Sequence, residues 1–406
     1  MFFKKKLNHE NVESGDFPLK SNHPDVVFLD NACTSLKPRE VIEGISSYYS
    51  EFGSCALRSV HKLGKQTTTA VDHARKKISQ FVGLKKTEEV IFTRGATDSI
   101  NLLCRTFQWS EGDEVIISSL EHNSNLLPWI ALGEGQRVNL NIWNIDKDGR
   151  FDLKELEALL SKKESKLLSL CSDSNIIPID LPLAEIISLA HKNDVLVHLD
   201  ASQTLLHRPL NFNDLNFDFM SFSFHKILGP TGIGALCLKE EHYNKMKPTI
   251  LGGETVVNVT NKAYVLSDPP HCYEAGIGSY AEIFGAVKAI EYIEKIGYSQ
   301  IQKKEEELSL LMQEGLESLR GMTFLGPGLN SHLVNLYLGE MDSGELSILL
   351  DKNYNIMTRA GVHCGHYWYN QNQLNPSLRI SAAFYNTESD IQRLIEALQE
   401  VSKNYL

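Results

Sequence analysis

No run of about 18 consecutive apolar residues occurs in the chain, so no membrane-crossing helix is expected. The opening Met1-Phe-Phe-Lys-Lys-Lys6 is soon followed by polar Asn8-His-Glu-Asn11, which does not read as a secretory signal. Basic residues are outnumbered: 40 Lys and Arg stand against 51 Asp and Glu, a net charge of -11. Binding to a phosphate backbone needs clustered Lys and Arg, so nucleic acid is excluded as a partner. The one short basic run, Lys4 to Lys6, reads as a solvated terminus. The seven cysteines (33, 55, 104, 171, 237, 272 and 364) include no C-x-x-C pair, so no zinc or redox motif and no metal site is expected. Odd, scattered thiols fit a reducing cytoplasm. There is also no internal repeat and no Gly/Ser-rich linker.

What remains is an ordinary globular composition, 42% hydrophobic and 22% charged. At 406 residues the chain exceeds the roughly 250–300 at which one core stops growing, so a large domain and a smaller one are expected. From about residue 26 to 240, short runs rich in Val, Ile and Phe alternate with helical patterns, the signature of an α/β fold with a parallel sheet. The strand candidates are 89–93, 114–118, 166–171, 195–199, 217–223 and 233–238. The first five end in polar clusters, and ligands of open α/β sheets bind outside the carboxyl ends of the strands, so these clusters should meet in one crevice. Beyond residue 279 come helices at 281–296 and 302–320, strands at 333–338 and 378–383, and a closing helix from Asp390. The expected division is a large domain of residues 20–280 and a small α+β domain of residues 281–406 joined by 1–19.

Lys226 follows an apolar strand and precedes Gly229-Pro-Thr-Gly232. A lysine placed inside a crevice loses proton affinity by desolvation, which frees its amine for a Schiff base. On its own, such a lysine is usually a snorkelling surface residue. It is not a P-loop lysine, because it precedes the glycines. Gly95-Ala96-Thr97 opens a helix whose N-terminal amides and Thr hydroxyl suit a phosphate, although Thr97 also fits a plain N-cap. Ser223 and His225 add donors. Asp200, ending the strand Val195-Leu-Val-His-Leu199, is costly to bury without a cation, and a protonated pyridine nitrogen would be one.

These motifs, together with Gln203, resemble the class V aminotransferase family of fold-type I pyridoxal-phosphate enzymes. Arg359-Ala-Gly-Val-His-Cys364 and Arg379-Ile-Ser-Ala-Ala-Phe-Tyr-Asn-Thr387 resemble its SUF-type cysteine desulfurases, and the likeness runs from about Leu29 to the C-terminus. The resemblance implies a pyridoxal 5'-phosphate cofactor carried on Lys226, which would also shuttle the substrate proton. Asp200 would pair with the ring nitrogen, Gln203 with the ring hydroxyl, and His122 would stack on the ring and assist proton transfer. Ala96, Thr97, Ser223 and His225 would hold the phosphate. Asn175 and Arg379 would fix the substrate carboxylate, with Arg359 assisting. Cys364 would attack the sulfur of L-cysteine as a thiolate, with Arg359 and His363 supplying a favourable field, and would hold the product sulfur as a persulfide. The other six cysteines read as small buried hydrophobes. A homodimer, with the segment 273–279 reaching the neighbour, and a sulfur-acceptor protein of the SUF pathway are the implied partners, serving iron–sulfur cluster or other sulfur-cofactor assembly.

Some positions depart from the pattern. Leu57 stands for a His, Ile277 for a Thr that reaches the neighbouring subunit's phosphate, Ala96 for a Thr, and Phe224 for a Gly beside Lys226, where it is expected to reshape the pocket. Pro178 stiffens the turn after Asn175. A selenocysteine lyase, or another class V lyase or aminotransferase, shares Lys226 and Asp200 but, for transamination, has no use for Cys364. A non-catalytic scaffold in sulfur assembly is the alternative from another class.

Overall fold

The structure, a computed structural model, describes residues 16–136, 138–328 and 331–405. The Lys4–Lys6 run and nearly all of the N-terminal segment 1–19 lie outside the described residues. The main sheet has seven strands in the spatial order Val90–Thr93, Gly234–Leu238, Phe219–Ser223, Leu196–Asp200, Ser165–Cys171, Glu114–Ser118 and Asn139–Trp143. All pairings are parallel except the two made by Gly234–Leu238, which runs against both neighbours. Helices cover both faces, which is why Phe219–Ser223 and Gly234–Leu238 are buried along their whole length and lack polar alternation. Asn139–Trp143, which is not among the strand candidates, is the edge strand. Its asparagines face partly outward and its alternation hides it among loops.

A second sheet is antiparallel, in the order Met322–Phe324, Leu333–Leu338, Ser377–Ser381, Arg359–Gly361. It is backed by the helices Tyr298–Glu317, Ser343–Tyr354 and Glu388–Tyr405, whose Leu308, Leu346, Leu350, Leu394 and Leu398 are buried with Leu336 and Ile380 in one core. Val27 and Leu29 belong to that core too, and Val27–Phe28 pairs in parallel with Ile356–Met357. The helix Tyr280–Ile296, expected in the smaller unit, instead buries Ile283, Ile290 and Ile293 in the core of the large sheet. Full burial of each such side chain contributes roughly 1.5–3 kcal/mol, more than a surface helix could forgo. Among the described residues, no helix is long and apolar enough to cross a membrane.

Candidate active site

Five main-sheet strands, by their ends or following loops, open onto a cavity of about 150 Å³. The strand Phe219–Ser223 leads into a short turn at Phe224–Lys226, so alternation sends Ser223 toward the cavity and Phe224 into the core. Phe224 is fully buried, its ring edge-on to Phe222 at 5.3 Å. It does not line the cavity, which corrects the expectation that it reshapes the pocket.

Lys226 is partly exposed to the cavity. Burial lowers its proton affinity, opposed by the Asp200 carboxylate and reinforced by Arg379. Asp200 is buried and its Oδ1 accepts the Ser202 amide at 3.0 Å. Among the described residues no cationic side chain lies within ion-pair distance of it. His122 accepts the Ser124 amide on Nδ1 at 3.0 Å, which places the proton of the neutral ring on Nε2. Burial, then Lys226, Arg379 and Arg359, depress it to about 3. His225 is depressed to about 4 by burial, Lys226 and Lys37.

At the opposite wall the helix Ala96–Thr106 begins after Gly95, whose φ of 152° suits glycine. The Ala96 amide donates to Ser223 Oγ at 2.7 Å, and Thr97 Oγ1 lies 2.7 Å from Ser124 Oγ. Gly234 is required here, because a Cβ on it would lie 2.5 Å from Gly95 Cα.

The smaller sheet contributes the rest. Arg359 and Arg379 stand directly opposite each other on neighbouring strands, an arrangement of like charges that is unfavourable unless an anion sits between them. Asp30 is that anion, 2.8 Å from Arg379 Nη2 and 3.9 Å from Arg359 Nη1. Arg379 Nη1 also donates to the Asn175 carbonyl at 3.1 Å, while its buried Nε has no partner. Asn175 Nδ2 donates to the His363 carbonyl at 2.6 Å, and the Asn123 amide to the Cys364 carbonyl at 2.7 Å. His363 and Cys364 have φ of 49° and 58°, a backbone strain in the left-handed region of the kind that persists only where surroundings enforce it.

Every site residue expected from the sequence lines this cavity except Gln203, whose amide donates to the Ala32 carbonyl at 2.9 Å. Two expected roles are corrected. His363 supplies no positive field: it is buried, held down to about 3 by burial, Arg379 and Arg359, and bonded to Ser377 Oγ at 3.2 Å. Arg359 Nη1 donates to Cys33 Sγ at 2.7 Å, so Cys33 is a half-buried cavity residue and not a core hydrophobe. Cys55 is exposed, whereas Cys104, Cys171, Cys237 and Cys272 are buried as expected. Asp30, Cys33, Ser124 and Ser202 are the cavity-side residues that sequence reasoning missed. Only Asp30, in the segment Leu29-Asp-Asn-Ala32 where the family likeness begins, carried any signal.

Known proteins share this arrangement of sheets. The model of the class V aminotransferase family matches residues 27–394. The chain belongs to the class V aminotransferase family. Within that family, it is 34% identical over 387 residues to a protein of Halalkalibacterium halodurans named a probable cysteine desulfurase, covering 95% of each chain. It is 33% identical over 395 residues to a cysteine desulfurase of Shigella sonnei, covering 96% of this chain and 97% of that one. The apo structure of a cysteine desulfurase from Thermococcus onnurineus superposes with a TM-score of 0.90 at 30% identity, covering 96% of this chain and 97% of the other. The class V fold, a large mainly parallel sheet with a smaller α+β unit, is therefore the fold expected from the sequence.

Proposed function

We propose that this class V enzyme is a pyridoxal 5'-phosphate-dependent cysteine desulfurase that converts L-cysteine to L-alanine and collects the sulfur on Cys364. The observation that carries the reading is the meeting of Lys226 and Cys364, from different sheets, in one small cavity; the names of the relatives support it. The residues present fit the cofactor. Ser202 Oγ and Arg379 Nε are buried without partners, and both side chains line the cavity. Asp200 is a buried carboxylate to which a pyridinium nitrogen would be the missing cation. When bound, the cofactor supplies an electron sink for bond breaking at the substrate's Cα and Cβ.

The chain's own groups do the rest. Lys226 would carry the cofactor through Nζ, and its depressed proton affinity makes that amine both a covalent anchor and a proton carrier. Asp200 and Gln203 would hold the ring, His122 would lie on its face with a proton on Nε2, and the Ala96–Thr97 helix start with Ser223 and His225 would hold the phosphate. Asn175, Arg379 and Arg359 would orient the substrate carboxylate, the paired guanidiniums accepting a second anion beside Asp30. Cys364 Sγ would form an S–S bond as the substrate's Cβ–S bond breaks, the carbon taking a proton to give alanine. Exposed Ile277 and Val257, 73% and 69% accessible, support the homodimer. We further infer a cytoplasmic location and sulfur delivery to an acceptor protein of the SUF type, for iron–sulfur cluster or other sulfur-cofactor assembly.

The test is a visible spectrum of purified protein, then alanine and persulfide assays after L-cysteine addition, on wild type, Lys226→Ala and Cys364→Ser. A cofactor band altered by Lys226→Ala, with alanine and persulfide formed only when Cys364 is present, is the expected result. Equal alanine from Cys364→Ser would sink the nucleophile assignment. A band without cysteine turnover would move the chain to another class V reaction, such as that of a selenocysteine lyase or an aminotransferase.

A further inference from the structure

A second cluster of chemically capable side chains lies apart from the active-site cavity. His207 follows the strand Leu196–Asp200, its amide donating to the Thr204 carbonyl at 2.9 Å. Glu305 projects from the helix Tyr298–Glu317 and is 6% exposed. His332 immediately precedes the strand Leu333–Leu338. His207 Nδ1 lies 2.9 Å from both Glu305 oxygens, and the His332 ring stacks on that of His207 at 3.8 Å with an interplanar angle of 24°. One donor atom from each of the three falls within 4.8 Å of the others. They face a cavity of about 450 Å³ that shares no lining residue with the active-site cavity.

An ion pair between His207 and Glu305 accounts for two of the three side chains. Burial opposes the charge on His207, but the Glu305 carboxylate outweighs it and the net shift is upward. His332 is left unexplained by that pair. Its ring lies flat against the imidazole that would carry the charge, and a neutral imidazole keeps one in-plane nitrogen lone pair for a ligand. Asp173 cannot serve in its place as a third partner to the pair, since its Oδ2 is taken by Arg208 at 3.0 Å and by Thr204.

We propose that His207, Glu305 and His332 form a binding site for a divalent transition-metal cation of the zinc class. Zinc–nitrogen and zinc–oxygen bonds of about 2.0–2.2 Å set tetrahedral ligand atoms roughly 3.3–3.5 Å apart. The His207–Glu305 separation of 2.9 Å is shorter than that and all three donor atoms lie within 4.8 Å of one another, so coordination would require the stacked His332 ring to turn its nitrogen toward the ion. Two imidazoles and one carboxylate suit zinc, cobalt or nickel better than magnesium or calcium, which take oxygen ligands. Three protein ligands leave a fourth position for water from the adjoining cavity. Because His207 belongs to the large-sheet unit while His332 begins a strand of the smaller sheet, the ion would tie the two units together, a short way along the chain from Gln203. The ligands are separated by 98 residues (207 to 305) and 27 (305 to 332), so no spacing motif announces them and the sequence carries no expectation of a metal.

The experiment uses the chelator-treated, full-length protein with its cofactor, re-equilibrated with zinc or cobalt alone, in a Cys364→Ser background that removes the most evident competing thiol. Metal per chain, the cobalt absorption spectrum and the melting temperature are measured for His332 intact, His332→Asn, His332→Cys and Glu305→Gln. The parent should hold about one more metal ion per chain than His332→Asn or Glu305→Gln and should melt higher with zinc. His332→Cys should restore binding with a cobalt spectrum shifted by the thiolate. Equal metal content and equal melting shifts in the parent, His332→Asn and Glu305→Gln would overturn the site.

Discussion

At the scale of single residues, the two opposed guanidiniums would, on the proposed reading, hold the substrate carboxylate. Arg379 is bonded at once to Asp30 and to the Asn175 carbonyl, a fork that a lysine cannot reproduce. Arg379→Lys should therefore raise KM for L-cysteine and lower kcat/KM by roughly 10–100-fold, the equivalent of one or two charged hydrogen bonds. Steady-state kinetics checks this, and a fall in kcat alone would refute a carboxylate-binding role. Residues whose chemistry is tied to their type are legible in the sequence itself: a lysine after an apolar strand, a carboxylate ending one, a cysteine in a polar loop. The roles of Cys33 and Asp30 are not, because their partner Arg359 lies more than three hundred positions along the chain. Phe224 defeats a sequence-based expectation because neighbouring positions at a strand end face opposite ways, and the sequence alone does not say which faces the cavity.

At the scale of elements, the wall proposed to hold the cofactor phosphate rests on close backbone approach between the strand Gly234–Leu238 and the start of the helix Ala96–Thr106. A side chain at position 234 would strike Gly95 and the carbonyl of Phe222. Gly234→Ala should cost about 1–3 kcal/mol of stability and displace the Ala96–Thr97 turn. The measurement is a melting curve alongside cofactor retention through dialysis; undiminished retention would show that the turn does not depend on this contact. Fully buried strands and the long apolar helix 280–296 are readable from sequence because their patterns are continuous. The edge strand Asn139–Trp143 and the three-residue strands of the smaller sheet carry too few apolar residues to signal themselves.

At the scale of the whole molecule, buried neutral histidines make folding sensitive to acid. His198 is fully buried between Ser169 Oγ at 2.7 Å and Ser221 Oγ at 2.9 Å, and burial lowers it to about 3. His363 is lowered to about 3 as well. Their folded values lie below the ordinary 6.5, so the stability linked to them is complete above that pH and is lost as pH falls toward 3. Each contributes a slope of about 1.4 kcal/mol per pH unit in that window. Urea midpoints should drop between pH 6.5 and 4.5, and His198→Gln should flatten the decline; an unchanged slope would exclude His198 as a source. The backbone grip on the segment around Cys364, by Asn175 on one side and Asn123 on the other, bears on traffic beyond the protein. If Cys364 carries sulfur as proposed, that atom would have only the length of the side chain in which to travel. On the proposed desulfurase reading, an acceptor would then have to reach into the crevice, and its shape would decide which protein is served.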